Sequence, residues 1–123
     1  MILSFSLPKF EDRIKSGIKI HTFRTDIHQR WHVGRDIHFW CGNPRNVKSN
    51  PYHFANGVVS EVFPAIIRPK EDYIFLDKWK CATSFLDTVA VSDGFDDWAD
   101  MKTWFTEDFE GYCIIWKRPV VIV

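Results

Sequence analysis

The sequence predicts an α+β fold, a small β-barrel of mixed strands with helices at its ends or flanks. Three observations predict it. Many segments alternate in polarity or are rich in β-branched and aromatic residues, helical spacing is confined to one early and two late segments, and the resulting order is strand, helix, several strands, two helices, strand. The 123 residues are enough for one core and not for two, so residues 1–123 read as a single domain.

The elements follow in order. Leu3 and Phe5 alternate with Ser4 and Ser6 and predict a short first strand. Pro8 suits the first position of a helix whose apolar face carries Phe10 and Ile14, and Ser16-Gly17 ends it with Gly17 in the left-handed position after the last turn. Ile18 to Arg24 reads as a strand, and Asp26 to His32 as a polar loop or helical turn. After the turn Val33-Gly34-Arg35, Asp36 to Cys41 alternates with Ile37, Phe39 and Cys41 inward. Gly42 to Pro51 has the Gly, Asn and Pro content of a loop. Gly57 to Phe63 and Ala65 to Arg68 form one long strand or two short ones broken at Pro64, and Tyr73 to Leu76 is a further strand after a turn at Pro69 to Asp72. Phe85 to Ser92 reads as a short helix with Phe85 and Val89 inward and Leu86 a further inward candidate. Asp96 to Phe105 reads as another, with Trp98, Met101, Trp104 and Phe105 at helical spacing and Asp96, Asp97 and Asp100 near its N-terminal end. Gly111 to Lys117 is the closing strand.

Composition narrows the function. Aromatic residues make up 16% of the chain, more than a core of this size requires, which points to an aromatic-lined groove or pocket. No apolar run approaches the roughly 18 residues of a membrane span, and the opening Met1 to Pro8 lacks the basic start of a signal peptide. The three cysteines, Cys41, Cys81 and Cys113, contain no CxxC pair, which argues against a disulfide framework or structural zinc and for a reducing, cytoplasmic location. The formal net charge is zero, yet residues 1–50 carry nine Lys/Arg against four Asp/Glu, and residues 93–110 carry seven Asp/Glu against Lys102 alone. A strong duplex binder carries a net positive surface, so a local basic face suits one phosphate or a short single strand instead.

Lys19, Thr22 and Arg24 are the first candidates for chemistry. A lysine acts as a base when partial burial lowers its pKa, and a threonine hydroxyl becomes a nucleophile only beside a base. In a regular strand Lys19 and Thr22 face opposite sides, so they act together only if the chain bends at Ile20-His21. Thr22 and Arg24 share a face, and Arg24 is either a fork for phosphate or carboxylate or the partner of a surface acid such as Asp26. Asp93, ahead of Gly94, is either a turn residue or a carboxylate that reaches Lys19 across the fold. For nucleic acid, Trp31 and Trp40 are candidate stacking platforms, and Arg24, Arg30, Arg35, Arg45 and Lys48 candidate phosphate contacts. His28 and His32 form an i,i+4 pair if their segment is helical, but no third ligand has a convincing spacing, so no metal is expected. No dinucleotide, P-loop or serine-hydrolase motif occurs, and no cofactor is expected.

Taken together these segments resemble a family. Ile14 to Arg24 resembles the helix–Gly–x–Lys–x–x–Thr/Glu–x–Arg signature of ASCH domains, which belong to the PUA-like superfamily. Trp31 to Phe39 is similar to the Trp-x-Val-Gly turn and strand that follow in that family, and Ala90 to Phe95 with Met101, Trp104 and Phe105 is similar to its late Asp/Glu-Gly-Phe element. Ile114-Ile115-Trp116 resembles its closing strand, and residues 43–85 are the weakly matched part. The resemblance implies a PUA-like β-barrel with a cleft near Gly17-Ile18-Lys19, and RNA or a modified nucleoside as partner. One branch of the family hydrolyses the amide of 4-acetylcytidine with a Lys, a Thr and a Glu, and another member type cleaves single-stranded RNA. The first two of the trio carry over to Lys19 and Thr22, and the third falls on Asp93, one methylene shorter. Three expectations therefore stand side by side: an amidohydrolase using Lys19, Thr22 and Asp93, a reader of single-stranded RNA or a modified nucleotide, and a partner-binding module whose cleft does no chemistry.

Overall fold

The computed structural model describes residues 1–122 as a mixed α+β protein of eight strands and three α-helices. The elements are β1 (Ile2–Phe5), α1 (Pro8–Ser16), β2 (His21–Arg24), β3 (Asp36–Cys41), β4 (Tyr52–Arg68), β5 (Tyr73–Leu76), β6 (Trp79–Lys80), α2 (Leu86–Ser92), α3 (Trp98–Trp104), β7 (Phe109–Trp116) and β8 (Val120–Val121).

The long strand β4 organises them. Its first part pairs with β3 and β8, and its second part with β7 and β5. β3 pairs in parallel with β1, and β7 pairs antiparallel with β2. The register slips between Val59 and Glu61, so Ser60 is an extra residue where β4 passes from one set of partners to the other. The sheet is not closed: β1 ends the branch that leaves β4 through β3, β2 ends the branch that leaves it through β7, and among the described residues the two do not pair with one another. Their seam is spanned by a side chain, Arg24 Nη2 donating to Ser4 O at 3.2 Å.

Pro64 does not break this strand. A residue in a strand aims its N–H and C=O at the same edge, and Pro64 O accepts from Asp77 N at 2.8 Å, just past the end of β5, whose last partner is Leu76 opposite Ala65. The missing donor therefore falls where β5 has already turned away, and proline costs no ladder bond.

The helices follow their local signals with some corrections. α1 begins at Pro8 and ends at Gly17, whose φ of +84° is open to glycine and whose N–H returns to Ile14 O. Its buried residues are Phe10 and Ile14, four apart on one face. In α2 the inward residues are Leu86, Val89 and Ala90, whereas Phe85 precedes the helix and is half exposed. α3 starts at Trp98 because Asp97 caps it, its Oδ1 accepting from Asp100 N at 2.7 Å. Asp26 to Val33 is not helical: Asp26 and Gln29 have positive φ, so the i,i+4 relation of His28 and His32 is lost, and Asp26 instead accepts from the backbone of Arg30 and Trp31.

The two charge blocks meet. Lys9 of α1 donates to Asp100 at 2.6 Å and Arg13 pairs with Asp96, clamping α1 against the first turn of α3 and the segment before it. With Lys15 paired to Glu11 and Lys19 to Asp93, four of the nine basic residues in positions 1–50 have an internal acidic partner. The basic half is thus much less of a free surface than its composition suggests.

Gly111 of β7 marks the tightest approach of β2. A Cβ there meets Arg24 O at 2.5 Å, a backbone atom that yields only if the strands part. Gly111→Ala is expected to cost about 1–3 kcal/mol in denaturant unfolding and to speed amide exchange in β2; unchanged stability and exchange would contradict this register.

Candidate functional site

A cavity of about 280 Å³ opens at the seam between β1 and β2. Its polar wall carries Ser4, Lys19, Thr22, Arg24 and Asp93. Its aromatic wall carries Phe23, Phe95, Phe105 and Phe109, packed edge to face with ring centroids 5.7–6.5 Å apart, and Trp104, half exposed, stands beside them.

Lys19 reaches this wall because the strand starts late. Ile18 to Ile20 lie outside β2, with Lys19 N donating to Arg13 O, Ile20 N to Ser92 O and Ile20 O accepting from Trp116 N. The regular alternation that separates Lys19 from Thr22 therefore never applies, and the two side chains line one cavity. Ile18 and Ile20 are left exposed while the lysine between them is 1% exposed. Among the described residues Thr22 makes no side-chain hydrogen bond, and none joins it to Lys19.

The Lys19 ammonium is fully provided for. It donates to His21 O at 2.7 Å, to Asp93 O and to Asp93 Oδ1 at 3.2 Å. The rings of Phe10, Phe5 and Trp116 surround it with centroids at 4.6, 5.3 and 5.8 Å. Burial is the largest influence and lowers the pKa of Lys19 from 10.5, while the Asp93 carboxylate opposes it. The same carboxylate oxygen lies 3.1 Å from His21 Nδ1, and His21 Nε2 lies 2.8 Å from Ser92 Oγ. Burial likewise lowers the pKa of Arg24, again opposed by Asp93, but a guanidinium stays charged. Cys113 is buried, and burial, reinforced by Asp93, pushes its thiol up and disfavours the thiolate.

Gly94 makes this packing feasible. Its φ is +97°, and a Cβ there meets Lys19 Cδ and Phe10 Cδ1, each at 2.8 Å. Its carbonyl also accepts from Arg13, so the Asp93-Gly94 turn is tied to α1 as well as to Lys19.

Of the residues singled out from sequence, Lys19, Thr22, Arg24 and Asp93 come together. Trp31, Trp40 and Arg45 do not line this cavity. Trp31 is 8% exposed, because its ring packs into the core, and so is not an open stacking platform. Trp40 is half-buried and stacked on His53 with centroids 5.5 Å apart, and Arg45 is exposed in the loop before β4. Sequence spacing does not signal His21 or Ser92: His21 Nδ1 meets Asp93, 72 residues on, and His21 Nε2 meets Ser92, 71 residues on. Among the described residues no group of three His, Cys, Asp or Glu side chains is arranged to hold a metal ion. No described helix is long and apolar enough to cross a membrane.

Comparison with family models, characterised proteins and solved structures finds no match to this chain. The ASCH resemblance thus rests on the motifs quoted above.

Two consequences of the buried pair are measurable. Gly94→Ala, which meets both strain at positive φ and the Lys19 stem, is expected to lower stability by about 2 kcal/mol or more, against about 1 kcal/mol for Gly34→Ala, where φ is +88° but space is open. Equal losses would show that Lys19 is not packed there. For pH, a folded pKa below the unfolded 10.5 means the unfolded chain holds more protons between the two values, so the Lys19 contribution rises as pH rises through that window. The stability difference between wild type and Lys19→Met is therefore expected to move in favour of wild type as pH climbs towards 10.5, read by urea melts at successive pH values; a move in the other direction would contradict the sign.

Proposed function

We propose that this protein is a small amide hydrolase of the ASCH type, acting on an acylated cytidine-like nucleoside at the seam cavity. The observation that carries the reading is that Lys19, Thr22, Asp93 and Arg24 line one aromatic-walled cavity with Lys19 almost wholly buried. Its volume of about 280 Å³ lies near the lower end of ligand pockets, which suits one base with its acyl group rather than an oligonucleotide. In the same reading the sheet organised on β4, bridged at the β1–β2 seam by Arg24, is an open form of the PUA-like barrel.

The chemistry assigns one role to each group. Three acceptors around Nζ favour the ammonium form of Lys19, and burial favours its loss of a proton. Once neutral, Lys19 Nζ takes a proton from Thr22 Oγ1 or from a water. The oxygen then attacks the amide carbon, and Arg24, whose donors border the cavity, faces the developing oxyanion. The C–N bond breaks as Lys19 returns the proton to the leaving amine nitrogen, and any acyl-threonine is released by water as the carboxylic acid. Asp93 holds Lys19 in place and stabilises its charged form between these steps. The aromatic wall holds the base by stacking, worth roughly 1–3 kcal/mol.

The test is acetate release from 4-acetylcytidine. Wild type is expected to turn over, and Thr22→Ala, a small change at a site without hydrogen bonds, is expected to keep the fold and lose about 10²-fold or more in kcat/KM. Lys19→Gln is expected to lose at least as much. No release by wild type, or full activity in Thr22→Ala and Lys19→Gln, would refute the reading.

A further inference from the structure

Asp93 is shared between two faces of the protein. On one side it meets Lys19 and the cavity; on the other, through His21, it meets Ser92 at the end of α2. Ser92 lines a separate, open hollow with Ile18, Asp87, Thr88 and Val91. We propose that Asp93, His21 and Ser92 form a proton relay connecting the buried Lys19 to this outer hollow. The proposal rests on the hydrolase reading for its purpose but not for its physical content.

With a neutral imidazole these hydrogen bonds admit two arrangements. The Ser92 hydroxyl lies 3.0 Å from Val89 O and 2.8 Å from His21 Nε2, and its one proton serves only one of them. When it turns to Nε2, the imidazole carries its proton on Nδ1 and donates to Asp93. When it donates to Val89 O, the imidazole donates from Nε2 to Ser92 Oγ, and Nδ1 is free to take a proton from Asp93. A rotating hydroxyl and a ring with a usable nitrogen at each end are the parts a proton wire needs.

The charged groups around the imidazole are Asp93 and the Lys19 ammonium that shares Oδ1; Phe23 meets the ring in a T-shaped contact with centroids 5.2 Å apart. His21 is 5% exposed, so its own path to water is narrow. Outward transfer balances as follows. Lys19 Nζ gives a proton to Asp93 Oδ1, which passes it to His21 Nδ1. Nε2 gives its proton to Ser92 Oγ, and the hydroxyl releases its original proton to water in the outer hollow, where Asp87 supplies a carboxylate. One N–H bond at Lys19 is broken, one O–H bond is made outside, and no charge is left on the relay. Lys19 thereby becomes the neutral amine without ejecting a proton into a cavity occupied by substrate.

A serine-nucleophile reading of the same three residues fails. Ser92 ends a helix, where the dipole is negative, and the following N–H groups are engaged: Asp93 N with Val89 O and Ala90 O, and Gly94 N with Val91 O. No backbone donor remains there for an oxyanion, so Ser92 and His21 are positioning residues.

The decisive measurement is the solvent exchange rate of the Lys19 Nζ protons by ¹⁵N NMR in wild type, Ser92→Ala and His21→Gln. Ser92→Ala removes one hydroxyl at the half-buried end and serves if His21→Gln perturbs folding. Both variants are expected to slow exchange about tenfold or more; unchanged exchange in both would overturn the relay. With 4-acetylcytidine, Ser92→Ala is expected to lower kcat with KM unchanged, as a purely structural defect would not. Failure of wild type to release acetate would overturn the hydrolase reading alone, since the exchange rates judge the relay without substrate.

Discussion

The ion pair of Lys19 with Asp93 is the constraint on which the rest of the site depends. An ammonium group held 1% exposed has lost most of its water, and only close acceptors make that tolerable. Here the acceptors come from the start of β2, through His21 O, and from the turn after α2, through both the backbone and side chain of Asp93. Satisfying one lysine therefore pins the exit of α1, the beginning of β2 and the end of α2 to one point. Breaking such a pair from one side typically costs about 3–5 kcal/mol, because the orphaned charge stays buried. The rings of Phe5, Phe10 and Trp116 complete the enclosure, and Gly94 leaves room for the lysine stem.

The cavity is a consequence of incomplete sheet pairing. Because, among the described residues, β1 pairs only with β3 and β2 only with β7, the two strands face one another without a ladder. Arg24 crosses that gap with one hydrogen bond, and aromatic residues from the segment around α3 and β7 close it from the side. The Lys9–Asp100 and Arg13–Asp96 contacts hold α1 against that segment. Opposite charge in distant parts of the sequence is thus an internal fastening as much as a surface property, which weakens a nucleic-acid reading built on the basic half alone.

How much of this was legible in the sequence differs from residue to residue. Pro8 and Gly17 bracket α1 because each has a backbone preference that context seldom overrides, and Tyr73 to Leu76 is a strand as its composition predicts. The choice between one long strand and two broken at Pro64 was not legible, since whether Pro64 loses a ladder bond depends on where β5 stops. In the segment Gly17 to Arg24 the residues were identifiable but their arrangement was not. Strand alternation would have parted Lys19 from Thr22, and only the late start of β2 brings them to one wall. Trp31 was misjudged as a platform because a tryptophan beside a Gly turn gives no local sign of which face it buries. His21 and Ser92 become meaningful only through Asp93, a long-range contact with no period to betray it.

The most direct test of this account is a double-mutant cycle on stability, using Lys19→Met, Asp93→Ala and the double variant in denaturant unfolding. If the pair is the organising contact, each single change is expected to cost about 3–5 kcal/mol. The double variant should then cost less than the sum of the two by well over 0.5 kcal/mol, the usual margin of additivity. Losses that simply add would contradict the account, because Lys19 and Asp93 would then be two independent side chains that happen to lie close together.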